Sequence, residues 1–163
     1  MQMDRDRYAA ELRPLLVPAA GYARSILHDR HLAEDAVQQA ALRGLERLAS
    51  YHDSRSFRAW WFTLVHHCCI DLLRTDKRNR QLHQNEADDA TPDPGPDGHD
   101  AEWLITAIQQ LSQDHQDILR LKYFAELSYR EIADSLAIPQ GTVMSRLHLA
   151  RNALAAILQE DAS

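Results

Sequence analysis

The sequence predicts an all-α protein made of two small helical domains joined by a flexible acidic linker. Apolar residues recur at three- and four-residue steps in both halves of the chain, which is the period of a helix. Only five of the 163 residues are Gly, whereas Ala, Leu, Arg and Gln are abundant, and this composition favours helices over strands. The charges fall in blocks, because residues 81–102 contain seven Asp or Glu and no Lys or Arg.

These blocks divide the chain into residues 1–80, 81–102 and 103–163, with net formal charges of +3, −7 and −2. The middle segment also holds three of the six prolines, so we expect a solvated linker. No run approaches the roughly 20 apolar residues that a membrane-spanning helix needs. Residues 1–10 are too charged for a signal peptide. We therefore expect a soluble, cytoplasmic protein without membrane insertion.

The first predicted helix has an apolar face from Leu12 to Leu27, and Pro14 and Pro18 within it predict a late start or a kink. A second helix is predicted from about Leu32 to Leu48. Its predicted inward residues are Leu32, Ala36, Val37, Ala40, Ala41 and Leu45. Its other face carries Glu34, Asp35, Gln38 and Gln39, which suit the basic surface of a partner. The alternative is an ordinary solvated face.

A polar stretch from Ser50 to Ser56 precedes a strongly apolar and aromatic segment, residues 57–74, which ends in the basic run Arg74, Lys77, Arg78 and Arg80. Planar side chains beside cations are typical of single-stranded DNA binding. The candidates are Trp60, Trp61 and Phe62, next to Arg55 and Arg58. Consecutive helical residues point about 100° apart, so we expect two of these three aromatic side chains to belong to the core.

The run His66-His67-Cys68-Cys69 raises the hypothesis of a metal site. On a helix only His66 and Cys69 share a face, which gives two ligands where a structural zinc ion needs four. Adjacent cysteines are also badly placed to bridge each other. We therefore expect no metal, no disulfide and no cofactor.

The second half predicts a helix-turn-helix. Ser112 has the position of an N-cap, and Ser128 precedes Glu131 at the spacing of a capping box. Residues 138–141 form a turn, and Thr142 is predicted to cap the last helix. The early residues of that helix would reach base edges in the major groove, namely Thr142, Met144, Ser145, Arg146, His148 and Arg151. The alternative is a pair of helices that only pack together.

Five segments resemble the extracytoplasmic-function (ECF) sigma factors of bacterial RNA polymerase. Residues 33–39 (AEDAVQQ) are similar to the family's AEDLVQE segment. The segments SFRAW at 56–60 and IDLLR at 70–74 are together similar to the family's minus-ten helix. LSYREIA at 127–133 and GTVMSRLHLAR at 141–151 resemble its minus-thirty-five helix-turn-helix. Residues 1–80 would then be region 2, and residues 103–163 region 4.

The resemblance implies three sets of contact residues. Glu34, Asp35, Gln38 and Gln39 would bind the core polymerase. The loop from Ser50 to Ser56 would capture an unstacked base of the minus-ten DNA, and the DNA strand would lie along the following helix. The residues that would contact this DNA are Ser54, Arg55, Phe57, Arg58, Trp60, Trp61, His67, Arg74, Lys77 and Arg78. The minus-thirty-five element would contact Ser128, Tyr129, Arg130, Thr142, Met144, Ser145, Arg146, His148 and Arg151.

The resemblance also implies a non-catalytic protein, a monomer when free, with core RNA polymerase, promoter DNA and an anti-sigma factor as partners. Met144 and Leu149 stand where the family usually has Lys and Arg, so we expect weak DNA binding by the free protein. His67 replaces a usual Asn, and Ala137 a usual turn Gly. The alternative function is a helix-turn-helix regulator, similar to a response regulator, that binds DNA independently of polymerase. Such a protein would carry an N-terminal receiver domain with alternating strands and helices, and the sequence of the N-terminal half shows no strand pattern.

Overall fold

The computed structural model describes residues 2–82 and 98–163, where the regular structure consists of helices and the predicted all-α fold is confirmed. The chain divides into two compact units, Met1–Asp93 and Pro94–Ser163. The first contains α1 (Arg5–Leu12), α2 (Leu16–Leu27), α3 (Arg30–Glu46) and α4 (Phe57–Leu82). The second contains α5 (Gly98–Gln109), α6 (Gln113–Tyr123), α7 (Tyr129–Leu136) and α8 (Gln140–Asp161). In the described part, no helix is long and apolar enough to cross a membrane.

The predicted linker falls mostly on residues 83–97, which lie outside the described residues. Its two ends are helical, because α4 continues to Leu82 and α5 begins at Gly98. Helix α4 therefore extends through the whole basic run that follows Arg74.

The two prolines of the first helical pattern fall at a break in the helix. Pro14 lies in a 3-10 turn, Arg13–Leu15, which separates α1 from α2. Pro18 is the third residue of α2, in the first turn, where a missing N–H costs no intrahelical hydrogen bond. The break predicted from proline chemistry is present, and α1 adds a helix before it.

The core of the first unit is formed by α2, α3 and α4. Its largest fully buried side chains are Trp61, Tyr22 and Phe62, and the Tyr22 and Phe62 rings meet edge to face with centroids 5.4 Å apart. The α3 register differs from the prediction at one position, since Leu45 is 38% exposed and Gly44 is buried in its place. The Tyr8 ring covers Gly44, and its hydroxyl donates to the Ala41 carbonyl at 2.7 Å.

The helix-turn-helix of the second unit consists of α7 and α8, packed on α6. Ser112 caps α6, and the predicted capping box is present at α7: the Ser128 hydroxyl accepts from the Glu131 N–H at 3.1 Å, while Glu131 accepts from the Ser128 N–H at 2.8 Å. Ala137 ends α7 in the left-handed conformation, with φ 55°. An alanine therefore occupies a backbone position that favours Gly.

The predicted Thr142 cap is wrong. Helix α8 begins at Gln140, and its N-cap is Pro139, three residues before Thr142, in an extended conformation without a side-chain cap. The proline ring fixes φ at a value that suits the start of a helix. Helix α8 therefore begins directly after Pro139, within the predicted turn. Thr142 lies inside the first turn, where its carbonyl accepts from the Ser145 hydroxyl at 3.2 Å.

Candidate nucleic-acid interface

The polar face of α3 is exposed as predicted. Glu34, Asp35 and Gln38 are exposed, Gln39 is half-buried, and Glu34 pairs with Arg30 at 3.2 Å. Leu42 follows Gln38 by one turn on the same face and is 62% exposed. Leu42 and Leu45 therefore add exposed apolar surface next to the polar face of α3. Sequence reasoning missed this apolar surface because a leucine on an amphipathic helix is normally assigned to the core.

The loop before α4 is held in place by aromatic and ionic contacts. The Tyr51 ring lies edge-on to Trp60, with centroids 5.2 Å apart, and its hydroxyl donates to the Arg55 carbonyl at 2.9 Å. The Arg7 guanidinium of α1 binds both carboxylate oxygens of Asp53, at 2.9 and 3.3 Å. These hydrogen bonds lower the pKa of Asp53 and raise that of Arg7. Ser54 and Arg55, which directly follow Asp53, are exposed.

A stripe of aromatic and basic side chains runs along α4. Trp60, His67 and Arg74 recur every seven residues, which places them on one helical face, and Arg78 continues it one turn later. Trp60 is half-buried, whereas His67, Arg74, Lys77 and Arg78 are exposed. We refer to Trp60, His67, Arg74 and Arg78 as the α4 stripe.

Three of the predicted minus-ten residues do not belong to this surface. Trp61 is fully buried and Phe57 is only 8% exposed, so both side chains are core residues. Together with buried Phe62, Trp61 confirms that two of the three consecutive aromatic side chains pack inside. Arg58 lies nine residues before His67, about 180° around the helix, and is half-buried on the opposite side.

The His-His-Cys-Cys run diverges around α4. Cys68 and Cys69 are fully buried, the His66 Nδ1 atom lies 3.1 Å from the Tyr22 hydroxyl, and His67 is exposed. Burial raises the pKa of the Cys68 thiol. Within the described ranges, no group of three or more His, Cys, Asp or Glu side chains is placed to hold a metal ion.

The candidate DNA-contacting helix α8 presents a surface with few charges. Ser145 and His148 are exposed, Thr142 and Arg146 are half-buried, and the apolar Met144 and Leu149 are 57% and 58% exposed. From α7, Ser128 and Arg130 are exposed and Tyr129 is half-buried. This arrangement agrees with the helix-turn-helix interpretation, but two of its most exposed positions carry no charge.

Arg151 is exposed, and its side chain is held by hydrogen bonds to tyrosines. Its Nε–H donates to the Tyr123 hydroxyl at 2.6 Å, and hydrogen bonds with Tyr123 and Tyr129 raise the pKa of Arg151. The Lys122 ammonium lies 4.9 Å above the centre of the Tyr129 ring. Tyr123 and Lys122 were not predicted as site residues, because Arg151 lies 28 residues after Tyr123 and no local motif joins them.

Comparison with known proteins assigns both units. Residues 10–79 match the family model for Sigma-70 region 2, and residues 101–154 match that for Sigma-70, region 4. The chain is 33% identical to the ECF RNA polymerase sigma factor SigL of Mycobacterium tuberculosis over 144 residues, which cover 85% of this chain and 81% of SigL. It is 32% identical to the ECF sigma factor SigW of Bacillus subtilis, covering 79% and 76% of the two chains.

Two solved structures share the fold. The sigma factor RpoE of Bartonella quintana, crystallised with the anti-sigma factor NepR, superposes with a TM-score of 0.75 at 25% identity and covers 93% of this chain and 96% of its own. CnrH, in complex with the cytosolic domain of CnrY, gives the same TM-score at 21% identity, covering 97% of this chain and 91% of its own.

The two regions and their helix-turn-helix define a protein of the sigma-70 class. The chain belongs to the extracytoplasmic-function (ECF) RNA polymerase sigma factors. It is accordingly a transcription initiation factor with a DNA-binding region 4.

Proposed function

We propose that this sigma factor directs core RNA polymerase to specific promoters, and helps to open their minus-ten element, as a cytoplasmic protein that catalyses no reaction. The observation that carries this proposal is the α4 stripe, because a half-buried indole followed by exposed cations on one helical face can receive a nucleic-acid strand. We assign polymerase binding and minus-ten contacts to residues 1–80, and minus-thirty-five contacts to residues 103–163. Residues 81–102 connect them.

The exposed face of α3 is the polymerase contact. Asp35 and Gln38 offer acceptors and a donor to basic and polar groups of the partner, and Glu34 and Gln39 flank them. Leu42 adds apolar surface that is removed from water on binding, which supplies affinity that exposed charges alone do not.

Opening of the minus-ten element follows from the loop and the α4 stripe together. Extruding a base costs a few kcal/mol, which stacking and phosphate contacts offset. Ser54 and Arg55 lie in an anchored loop that can receive the extruded base, and His67, Arg74, Lys77 and Arg78 lie along the path of the strand. The core residues Phe57 and Trp61 act indirectly, by fixing the position of α4.

The minus-thirty-five element is bound by α8. Ser145, Arg146 and His148, with Met144, occupy its first turns, and Ser128 and Arg130 of α7 face the adjacent backbone. Because this unit is acidic overall and Met144 is neutral, DNA affinity comes mainly from the assembled polymerase. The sigma factor RpoE of Bartonella quintana is bound to the anti-sigma factor NepR in its crystal, which supports such a partner for this chain also.

Run-off transcription with purified core polymerase and a library of promoter fragments tests the proposal. We expect defined start sites only when both proteins are present. Charge reversal by Asp35→Arg should reduce binding to core more than tenfold, whereas Glu160→Arg, the same change near the end of α8, should not. Absence of any core complex, together with DNA binding by the protein alone, would refute the proposal.

A further inference from the structure

A groove of about 460 Å³ lies between the end of α3 and the middle of α4 in the first unit. Three arginines, two histidines and one acid contribute to its walls: Arg43, Arg47, Arg74, His66, His67 and Asp71. Its floor includes the apolar side chain of Leu64. Of the residues that line the groove, only His67 and Arg74 belong to a surface already assigned, the α4 stripe.

The groove has an excess of positive charge. Arg43 Nη1 and Asp71 Oδ2 form an ion pair at 2.9 Å, which largely cancels the charge of both groups. Arg47 and Arg74 are exposed and leave two further positive charges even when both histidines are neutral. A concave surface with low-dielectric walls concentrates this field at the groove, so an anionic ligand is favoured there.

The chemistry of the lining fits a phosphodiester better than a carboxylate or a free base. Guanidinium groups donate several hydrogen bonds in a planar fork that matches phosphate oxygens. The volume exceeds what one phosphate needs, and Leu64 and Ile70 offer an apolar wall to an attached sugar. Because Arg74 and His67 also belong to the α4 stripe, the groove opens beside the path proposed for the DNA strand.

We propose that this groove binds a backbone phosphate, with its sugar, of the nucleic-acid strand that lies along α4. The new contributors are Arg43 of α3, a helix otherwise assigned to polymerase, and Arg47, the residue that caps the C-terminus of α3. Arg43 lies about 140° around α3 from Gln38, and it follows Gln39, at the edge of the polymerase contact, by one turn. The proposal rests on the proposed function, since it names a further contact of the same nucleic-acid interface.

The first test measures the affinity of the holoenzyme, wild type or Arg47→Gln, for a forked minus-ten DNA at several salt concentrations. We expect Arg47→Gln to weaken binding roughly five- to twentyfold and to reduce the slope of log K against log salt by about one, as the loss of one phosphate contact predicts. The matched control is Arg13→Gln, the same change at an exposed position in the first unit. Arg47→Lys should keep most of the salt slope, and core binding should be unchanged in all three variants.

The second test does not depend on polymerase. The ring protons of His66 and His67 are followed by NMR in the full-length protein at low salt, during titration with single-stranded oligothymidylate or with inorganic phosphate. We expect the oligonucleotide to shift these signals at lower concentration than phosphate does, and Arg47→Gln to abolish the difference.

Two results would overturn the proposal: equal behaviour of Arg47→Gln and Arg13→Gln in both tests, or histidine shifts with inorganic phosphate that the oligonucleotide does not exceed. If instead the wild-type holoenzyme forms no transcript while the oligonucleotide-specific shifts persist, the proposed function fails and the phosphate groove stands.

Discussion

The Arg7 guanidinium in α1 binds both carboxylate oxygens of Asp53, at 2.9 and 3.3 Å, and thereby ties the first helix to the loop before α4. The two residues are 46 positions apart. Tyr51, in the same loop, packs edge-on against Phe57 and Trp60, and the Tyr8 ring reaches the same two aromatic side chains. The loop proposed to capture a base is therefore positioned by α1 as well as by α4.

Replacing Arg7 by Ala should affect promoter opening more than stability. Both partners are substantially exposed and their ion pair is screened by solvent, so we expect little change in the free energy of unfolding. Opening should slow about three- to tenfold because the loop loses its anchor, which stopped-flow fluorescence of 2-aminopurine in the minus-ten element would measure. Arg5→Ala is the control, since Arg5 is exposed on the same helix. Equal rates for the two variants would contradict a positioning role for Arg7.

Replacing Gly44 or Gly21 by Ala should have opposite effects on the stability of the first unit. A Cβ at Gly44 would collide with the Tyr8 hydroxyl, so Gly44→Ala should destabilise the first unit by about 1–3 kcal/mol. Gly21, within α2, has nothing within 4 Å of that position, so Gly21→Ala should stabilise it by about 0.5–1 kcal/mol. Chemical denaturation monitored by Trp fluorescence measures both, and a neutral Gly44→Ala would show that Tyr8 can move aside.

Periodicity and capping chemistry predicted α2, α3, α4 and the helix-turn-helix, but not α1, which precedes the predicted apolar pattern. The capping box joins Ser128 and Glu131, which are close together in the chain, so the sequence alone is enough to identify it. The α4 stripe was only partly predicted, because a run of aromatic residues does not show which side faces the core, and Phe57 and Trp61 proved buried. Contacts distant in sequence, such as Arg7 with Asp53, have no local signal at all.

The capping box of α7 should contribute measurable local stability. Ser128→Ala removes the acceptor for the Glu131 N–H and should cost about 1 kcal/mol. Glu131→Gln keeps an oxygen that can accept from the Ser128 N–H, so we expect a much smaller change. Hydrogen exchange of the α7 amides reports this helix alone, and faster exchange in Glu131→Gln than in Ser128→Ala would exclude the capping explanation.

Stability should fall at high pH through Tyr8. Burial raises the pKa of Tyr8 to about 12, above the value near 10 of an exposed tyrosine. The folded state therefore holds this proton more tightly than the unfolded state, and the stabilisation is complete below about pH 10 and lost as the pH rises towards about 12. Tyr8→Phe should flatten this decline without abolishing it, because burial also raises the pKa of Tyr51. A Tyr8→Phe curve parallel to wild type would contradict the assignment to Tyr8.

A single added charge on α8 should strengthen DNA binding. Met144 is 57% exposed near the start of the helix, in a unit with a net formal charge of −2. Met144→Lys adds a cation to the surface proposed to bind the minus-thirty-five element, so we expect roughly three- to tenfold tighter binding of the holoenzyme at low salt. The salt slope should steepen by about one.

Two variants separate this local effect from general charge. Met144→Gln changes polarity without charge and should leave the salt slope unchanged. Gln159→Lys adds the same charge at an exposed position near the end of α8 and should have little effect, because it lies about 15 residues, or roughly 22 Å, further along the helix. Equal gains from Met144→Lys and Gln159→Lys would mean that net charge alone governs binding, and that the start of α8 does not contact the DNA.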